Sequence, residues 1–276
     1  MACRIVAISL AACCLAAAAA RVQEVSYASG TKAWLVEPEP GTRGPAKKSR
    51  CAVLFVHWYE PEAGDSNRNQ YLREALPLAE SDGCVSLLID TMWSRPEWFR
   101  SRDARRDFEN SEAQIRNLSQ ALDYLLARKD VDPKRVVYVG HDFGAMYGAV
   151  LAARDKRVKA WALQAGTASF SDWFLYFPPK TGEERQAVIE RLAPLDPVKH
   201  IAQASPLLLQ FGKHDRHVPE HRAKQMFDAA KEPKQVLWYE SGHGLNEEAV
   251  RDRLAWVRTH VSKKRSIVFH RNLHGR

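Results

Sequence analysis

Three residues in this chain could do chemistry together: Asp142, Asp215 and His243, in that order. Asp142 is the middle of Gly140-His141-Asp142-Phe143-Gly144, entered from the apolar run Val136-Val137-Tyr138-Val139 and left through an Ala/Gly-rich run. That layout is a sharp strand-to-helix turn, in which flanking glycines relieve crowding around a strained central residue. Asp215 ends Gly212-Lys213-His214-Asp215, and His243 stands between two glycines in Gly242-His243-Gly244. A carboxylate needs no base to attack carbon because it is ionised at neutral pH. A histidine could then deprotonate water, and a second carboxylate could orient that histidine.

The elements that must position these groups are legible around them. Val22 to Tyr27 and Lys32 to Val36 read as a hairpin. Cys51 to Val56 and Cys84 to Ile89 are continuous apolar runs, as in strands covered on both faces. Helical spacing covers 69–81 and 108–128, the latter through Ile115, Leu118, Leu122, Leu125 and Leu126. Asp132-Pro133 should break the chain before the turn strand. Further strands are expected at 158–164, 206–211 and 236–239, with helices at 145–154, 220–230 and 246–260, the last capped by Asn246. Alternating strands and helices predict an α/β fold: a mostly parallel sheet of about eight strands with helices on both faces. Ligands in such sheets sit beyond the carboxyl ends of the strands. His57, Asp90, Asp142, Asp215 and His243 all fall there.

Composition sets the frame. The chain has 276 residues, 45% hydrophobic and 27% charged, enough for one large domain. The net charge of +8 is scattered, without a nucleic-acid module, so a solvated surface is expected. Residues 1–20 carry Arg4, an apolar run and Ala16 to Ala20 before Arg21, the pattern of a cleaved signal peptide. A lipoprotein reading, with Leu10-Ala11-Ala12 before Cys13, is the alternative. Export to the periplasm or medium implies an oxidising compartment. Of five cysteines, Cys51 and Cys84 lie outside this leader and start successive strands; if these are parallel neighbours the two are close enough for a disulfide, and whether they are bonded is left open. The domain is expected over 21–262, followed by a basic tail at 263–276.

The order Asp142, Asp215, His243, with the quoted motifs, resembles the α/β-hydrolase superfamily over about residues 22–262. The body, with a short lid insertion at 167–205 after strand 6, looks like the dienelactone-hydrolase branch, which carries Cys or Ser at the turn. The Asp turn looks like those of epoxide hydrolases and haloalkane dehalogenases. The resemblance implies a hydrolase with a covalent aspartyl ester on Asp142, resolved by His243 and Asp215. It further implies an oxyanion hole from the backbone N–H groups of Phe143 and Trp58. His57, Tyr59, Trp93, Trp173 and Tyr176 are expected to line a pocket for a small molecule. An epoxide is preferred over a haloalkane because Phe143 stands where dehalogenases usually place Trp. A dienelactone-hydrolase-like esterase or lactonase, and a non-catalytic binding protein, are the alternatives. No cofactor, metal, nucleic-acid partner or stable membrane insertion is expected, and oligomeric state is left open. His214, His217 and His221 lack a zinc spacing, and Asp196, before Pro197, reads as a turn residue.

Overall fold

The computed structural model describes residues 19–40 and 49–262. The expected leader lies outside the described residues except for Ala19 and Ala20, and the basic tail lies outside them entirely. The elements, in chain order, begin with β1 (Ala20–Tyr27), β2 (Thr31–Pro38), β3 (Arg50–Val56), α1 (Leu72–Asp82) and β4 (Val85–Ile89). They continue with α2 (Trp98–Ser101), α3 (Asp107–Ala127), β5 (Val131–His141), α4 (Phe143–Arg154), β6 (Ala160–Gln164), α5 (Ser171–Phe174) and α6 (Gly182–Leu192). The last are β7 (Leu207–Gly212), α7 (Glu220–Ala229), β8 (Lys234–Tyr239) and α8 (Glu247–Val261).

Eight strands form one sheet in the order β1-β2-β4-β3-β5-β6-β7-β8. β2 runs antiparallel to β1 and β4, and the remaining neighbours are parallel. This is the α/β-hydrolase fold. Side-chain alternation along β3 builds the two cores. Ala52, Leu54 and Val56 face a core with Ile115 and Leu122 of α3 and Met146 and Val150 of α4. Cys51, Val53 and Phe55 face the opposite core, with Leu78 of α1 and Val257 of α8. Both faces are covered, which is why the strand reads as an unbroken apolar run. On the second face Arg253 of α8 makes a buried two-bond pair with Glu74 of α1 and also donates to Gln210 of β7. All three polar groups are thereby satisfied.

Cys51 and Cys84 are joined in a disulfide across the parallel neighbours, with Cα atoms 4.5 Å apart. Two local expectations are corrected. Asp132-Pro133 does not break the turn strand, because β5 starts at Val131 and a register shift between Arg50 and Ala52 absorbs the interruption. The helix expected over 69–81 begins as a 3-10 turn at Asn67–Tyr71, and the α-helix starts only at Leu72. Asn246 caps α8 through a bond from the Ala249 N–H.

Candidate active site

β5 ends where Asp142 takes φ 55° and ψ −117°, and α4 begins at the next residue. A side chain with positive φ costs about 1–3 kcal/mol, a strain the surroundings must hold. They do so tightly. The Asp142 N–H donates to Gln164 O at 2.8 Å, and its carbonyl accepts from Met146 N at 3.0 Å. A Cβ on Gly144 would meet Val56 O at 2.1 Å, so only glycine lets α4 start this close to β3.

The Asp142 carboxylate is 1% exposed. Its Oδ2 accepts from the Tyr59 N–H at 3.3 Å, and the Phe143 N–H also favours its charged form. Phe143 is the first residue of α4, where free N–H groups and the helix dipole favour an anion. Asp142 Oδ1 is buried and has no hydrogen-bond partner, and the same holds for His243 Nε2. Burial raises the Asp142 carboxyl to about 6, against the attraction of His243 and the two N–H groups.

His243 is oriented from its other nitrogen. Its Nδ1 lies 2.8 Å from Asp215 Oδ2. Asp215 Oδ1 accepts from the N–H groups of His217 at 2.8 Å and Val218 at 3.0 Å. Burial opposes ionisation of Asp215, but these bonds and the His243 charge outweigh it and hold the carboxyl below its ordinary range. Burial likewise opposes charging of His243, yet Asp215 and the Asp142 charge leave its pKa raised. The loops carrying Asp215 and His243 meet closely, since a Cβ on Gly212 would lie 2.4 Å from Ser241 O and from Gly242 O.

The structure thus gathers Asp142, Phe143, Asp215 and His243 and relocates other expected residues. The second backbone donor is Tyr59, not Trp58. The Trp58 N–H is spent on Gln70 Oε1 at 2.9 Å, and its ring packs 4.7 Å from the His141 ring. The Tyr59 side chain packs on Trp98 and Phe99, and its hydroxyl donates to Pro96 O. His57 is a loop brace. Its ring nitrogens lie 2.9 Å from Trp58 O and 2.9 Å from Ser94 Oγ, and burial lowers its pKa to about 4. Trp93 is wholly buried in the core, with its indole N–H on His57 O at 3.1 Å. Trp173 does reach the site, 5.5 Å from the His243 ring and 5.9 Å from the Phe143 ring, between centroids. Tyr176 packs on Trp173 but is 53% exposed.

Two residues were missed in the sequence reading. His141 Nε2 lies 2.8 Å from the His243 carbonyl oxygen. A carbonyl can only accept, so Nε2 carries the proton, and burial holds the ring neutral, far below the ordinary histidine pKa. His217 stacks on Trp173 at 5.3 Å and lies edge-on to His243 at 5.3 Å. The position of His141 inside the turn motif was its one signal. His214 instead pairs with Glu240 at the surface. Asp196 binds Ser169 Oγ and the Phe170 N–H, a brace within the lid. Among the described residues no group of three or more His, Cys, Asp or Glu is placed to hold a metal, and no helix is long and apolar enough to cross a membrane.

A profile of the prolyl oligopeptidase family matches residues 99–264, more than half the chain, a span that includes Asp142, Asp215 and His243. The chain belongs to the prolyl oligopeptidase family. A relative in Escherichia coli, the uncharacterized protein YfhR, is 24% identical over 81% of this chain and 72% of its own length. The match to the protein of the same name in Salmonella typhi spans 49% of that protein. Among solved structures, an esterase domain from Rhodothermus marinus superposes with a TM-score of 0.61 at 17% identity, covering 88% of this chain and 99% of that one. A Klebsiella pneumoniae protein assigned as a dienelactone hydrolase gives 0.59 at 17% identity, over 87% and 98%. These likenesses show the α/β-hydrolase fold.

Proposed function

We propose that this protein hydrolyses small organic electrophiles through a covalent ester on Asp142, formed at a saturated carbon such as that of an epoxide or alkyl halide. One observation carries the reading: the buried Asp142 carboxylate sits at the strained turn with Oδ2 on the Tyr59 N–H and Oδ1 without a hydrogen-bond partner, and it interacts with the His243 charge. In the first step an Oδ1 lone pair forms the bond to carbon and the leaving group departs with its electron pair. In the second, His243 Nε2 takes a proton from water, whose oxygen attacks the Asp142 carbonyl carbon. The negative charge then develops on Oδ2, which already accepts from the Tyr59 N–H. Collapse expels the alcohol and restores the carboxylate. Asp215 holds the His243 tautomer and steadies its cation.

The esterase likeness favours a second reading, acyl-ester hydrolysis. The same geometry counts against it. The two N–H groups that would receive a substrate's carbonyl oxygen are engaged by the protein's own carboxylate. Attack by that carboxylate on an ester would also give an anhydride, a poor intermediate.

A single turnover in water enriched in oxygen-18 tests the proposal. The label is expected in Asp142, read by peptide mass spectrometry, with unlabelled product alcohol. Label in the product alone would mean direct attack by water, and Asp142 would lose its assigned role. In parallel, His243→Gln should accumulate the ester. We also propose that the chain is exported, a reading supported by the Cys51–Cys84 disulfide. Non-reducing peptide mapping of protein recovered from the periplasm or medium checks it, and two free thiols there would count against it.

A further inference from the structure

We propose that His141 is the positioning residue for His243: its ring N–H holds the His243 main chain, so that the imidazole is presented to the Asp142 ester in the hydrolytic step. This rests on the nucleophilic reading of Asp142 and deepens it, by assigning a residue whose duty falls in the second step and not the first.

Each member of the triad is held by something different. Asp142 is fixed in its turn by backbone bonds to Gln164 and Met146. Asp215 Oδ1 is fixed by the N–H groups of His217 and Val218. The His243 ring is tied to Asp215 through Nδ1, but its main chain runs between two glycines, which leave a backbone many accessible conformations. A Cβ added to Gly242 or Gly244 would meet nothing within 4 Å. The loop rests on Gly212 through the Ser241 and Gly242 carbonyl oxygens, before His243 is reached. At His243 itself the tie to the sheet is the bond from His141 Nε2 to the His243 carbonyl oxygen, at 2.8 Å. His141 is the last residue of β5 and is 2% exposed. Its ring packs on Trp58, 4.7 Å away between centroids, and on His243, at 5.2 Å. The donor therefore has a rigid seat, and the loop that it holds does not.

The kind of donor suits this duty. Activating water places a positive charge on His243. A Lys or Arg donor in the same seat would set a second positive charge beside it. Burial, reinforced by the His243 charge, keeps the His141 ring neutral. It donates through Nε2, keeps its proton throughout and does not oppose the cation. Ester formation makes no call on this bond, because a carboxylate attacks carbon without a proton transfer. Losing the bond should therefore slow hydrolysis and spare ester formation. A second signature is independent of turnover. Against burial, Asp215 and the Asp142 charge hold the His243 pKa above its ordinary value. That elevation requires the ring to stay beside both carboxylates, so a displaced ring should titrate lower.

The test uses the full chain carrying His141→Phe, which fills the seat without a donor, or His141→Gln, which returns a neutral N–H. Each is mixed with 1-bromohexane or 1,2-epoxyhexane, and ester on Asp142 is followed by mass. Ester formation is read in a His243→Gln background and ester hydrolysis with His243 intact. His141→Phe should slow hydrolysis about 10- to 100-fold, the scale for a reacting group displaced by about 1 Å, and leave ester formation near its original rate. It should also lower the His243 titration midpoint, read by NMR of nitrogen-15-labelled histidine. His141→Gln should recover most of the lost rate and midpoint. Equal slowing of both steps overturns the inference, as does an unchanged midpoint and hydrolysis rate in His141→Phe. In the unsubstituted chain the same spectra should show His141 as the Nε2–H tautomer, with that proton protected from exchange. The Nδ1–H tautomer there overturns the inference without any variant, so a folding defect cannot shelter it. If no chain forms ester from either reagent, the nucleophilic reading of Asp142 falls, and the midpoint and tautomer still decide whether His141 holds His243.

Discussion

Two helices, α4 directly after Asp142 and α6 in the lid, are built in opposite ways. α4 is buried from Phe143 through Ala152, whereas α6 in the lid buries only Leu192. The first is pinned by backbone bonds on either side of Asp142 and by the close approach of Gly144 to β3. The second borders a cavity of about 460 Å³ lined by Phe108 of α3 and by Val188 and Leu192. The contrast separates two duties. Strain at Asp142 can persist only where packing over-determines it. Neither Asp142 Oδ1 nor His243 Nε2 is accessible to solvent, so substrate must be admitted by movement of the less tightly packed side. Rigid geometry belongs to the sheet side, and in the proposed reaction substrate entry falls to the lid.

The sharpest way to break this contrast is to disable the sheet side. Asp142→Asn should lower turnover by about 10⁴-fold or more, the scale for loss of a nucleophile. Asp215→Asn, which leaves the ring of His243 without its orienting anion, should cost about 10²- to 10⁴-fold in steady-state rate. Acid should act on the same groups. Ester formation needs ionised Asp142, so its rate in His243→Gln should fall about tenfold per pH unit below the raised Asp142 pKa, which moves further up in that variant because the His243 charge no longer lowers it. In the unmodified chain the hydrolytic step needs neutral His243 and should fail as pH drops through its raised pKa.

Stability changes should be smaller and should also follow the division. Cys51→Ser with Cys84→Ser, 33 residues apart, should lower unfolding free energy by about 3–4 kcal/mol in denaturant titration. Asp142→Asn should do the reverse at high pH. Its carboxyl ordinarily titrates near 3.8 and near 6 in the folded chain. The unfolded chain therefore ionises first as pH rises, and folded stability is lost between those values. Above pH 6 the ionised carboxylate costs about 3 kcal/mol, with the attraction of His243 already included in that shift. The variant should gain most of that at pH 8 and almost none at pH 3. Phe177→Ala, at an exposed lid position, should change stability by less than about 0.5 kcal/mol.

Much of the sheet side was legible because its signals are local. Apolar runs mark strands covered on both faces, and the glycines around Asp142, Asp215 and His243 mark close approaches. The chain order of those three residues then suggested the grouping. What was not legible depends on where a side chain turns after the fold is made. Tyr59 was expected to contribute its ring and contributes its N–H, a register detail that residue type does not encode. His57 sits at a strand end as anticipated and Trp93 in the loop after β4, but their ring nitrogens tie those two loops together. The lid carried only an aromatic cluster, which reads the same whether it is core, pocket or rim. Trp173 became distinguishable from Tyr176 only through burial of its N–H.

The occupancy of the Tyr59 and Phe143 N–H groups by Asp142 has a practical consequence. Organophosphorus and fluorophosphonate reagents tag hydrolases by capturing a hydroxyl or thiol and settling an oxygen into vacant backbone donors. This chain presents an acid in place of the hydroxyl, with the donors already taken. In a survey built on such reagents it should pass unlabelled while fully active, and silence there would be a signature of its chemistry.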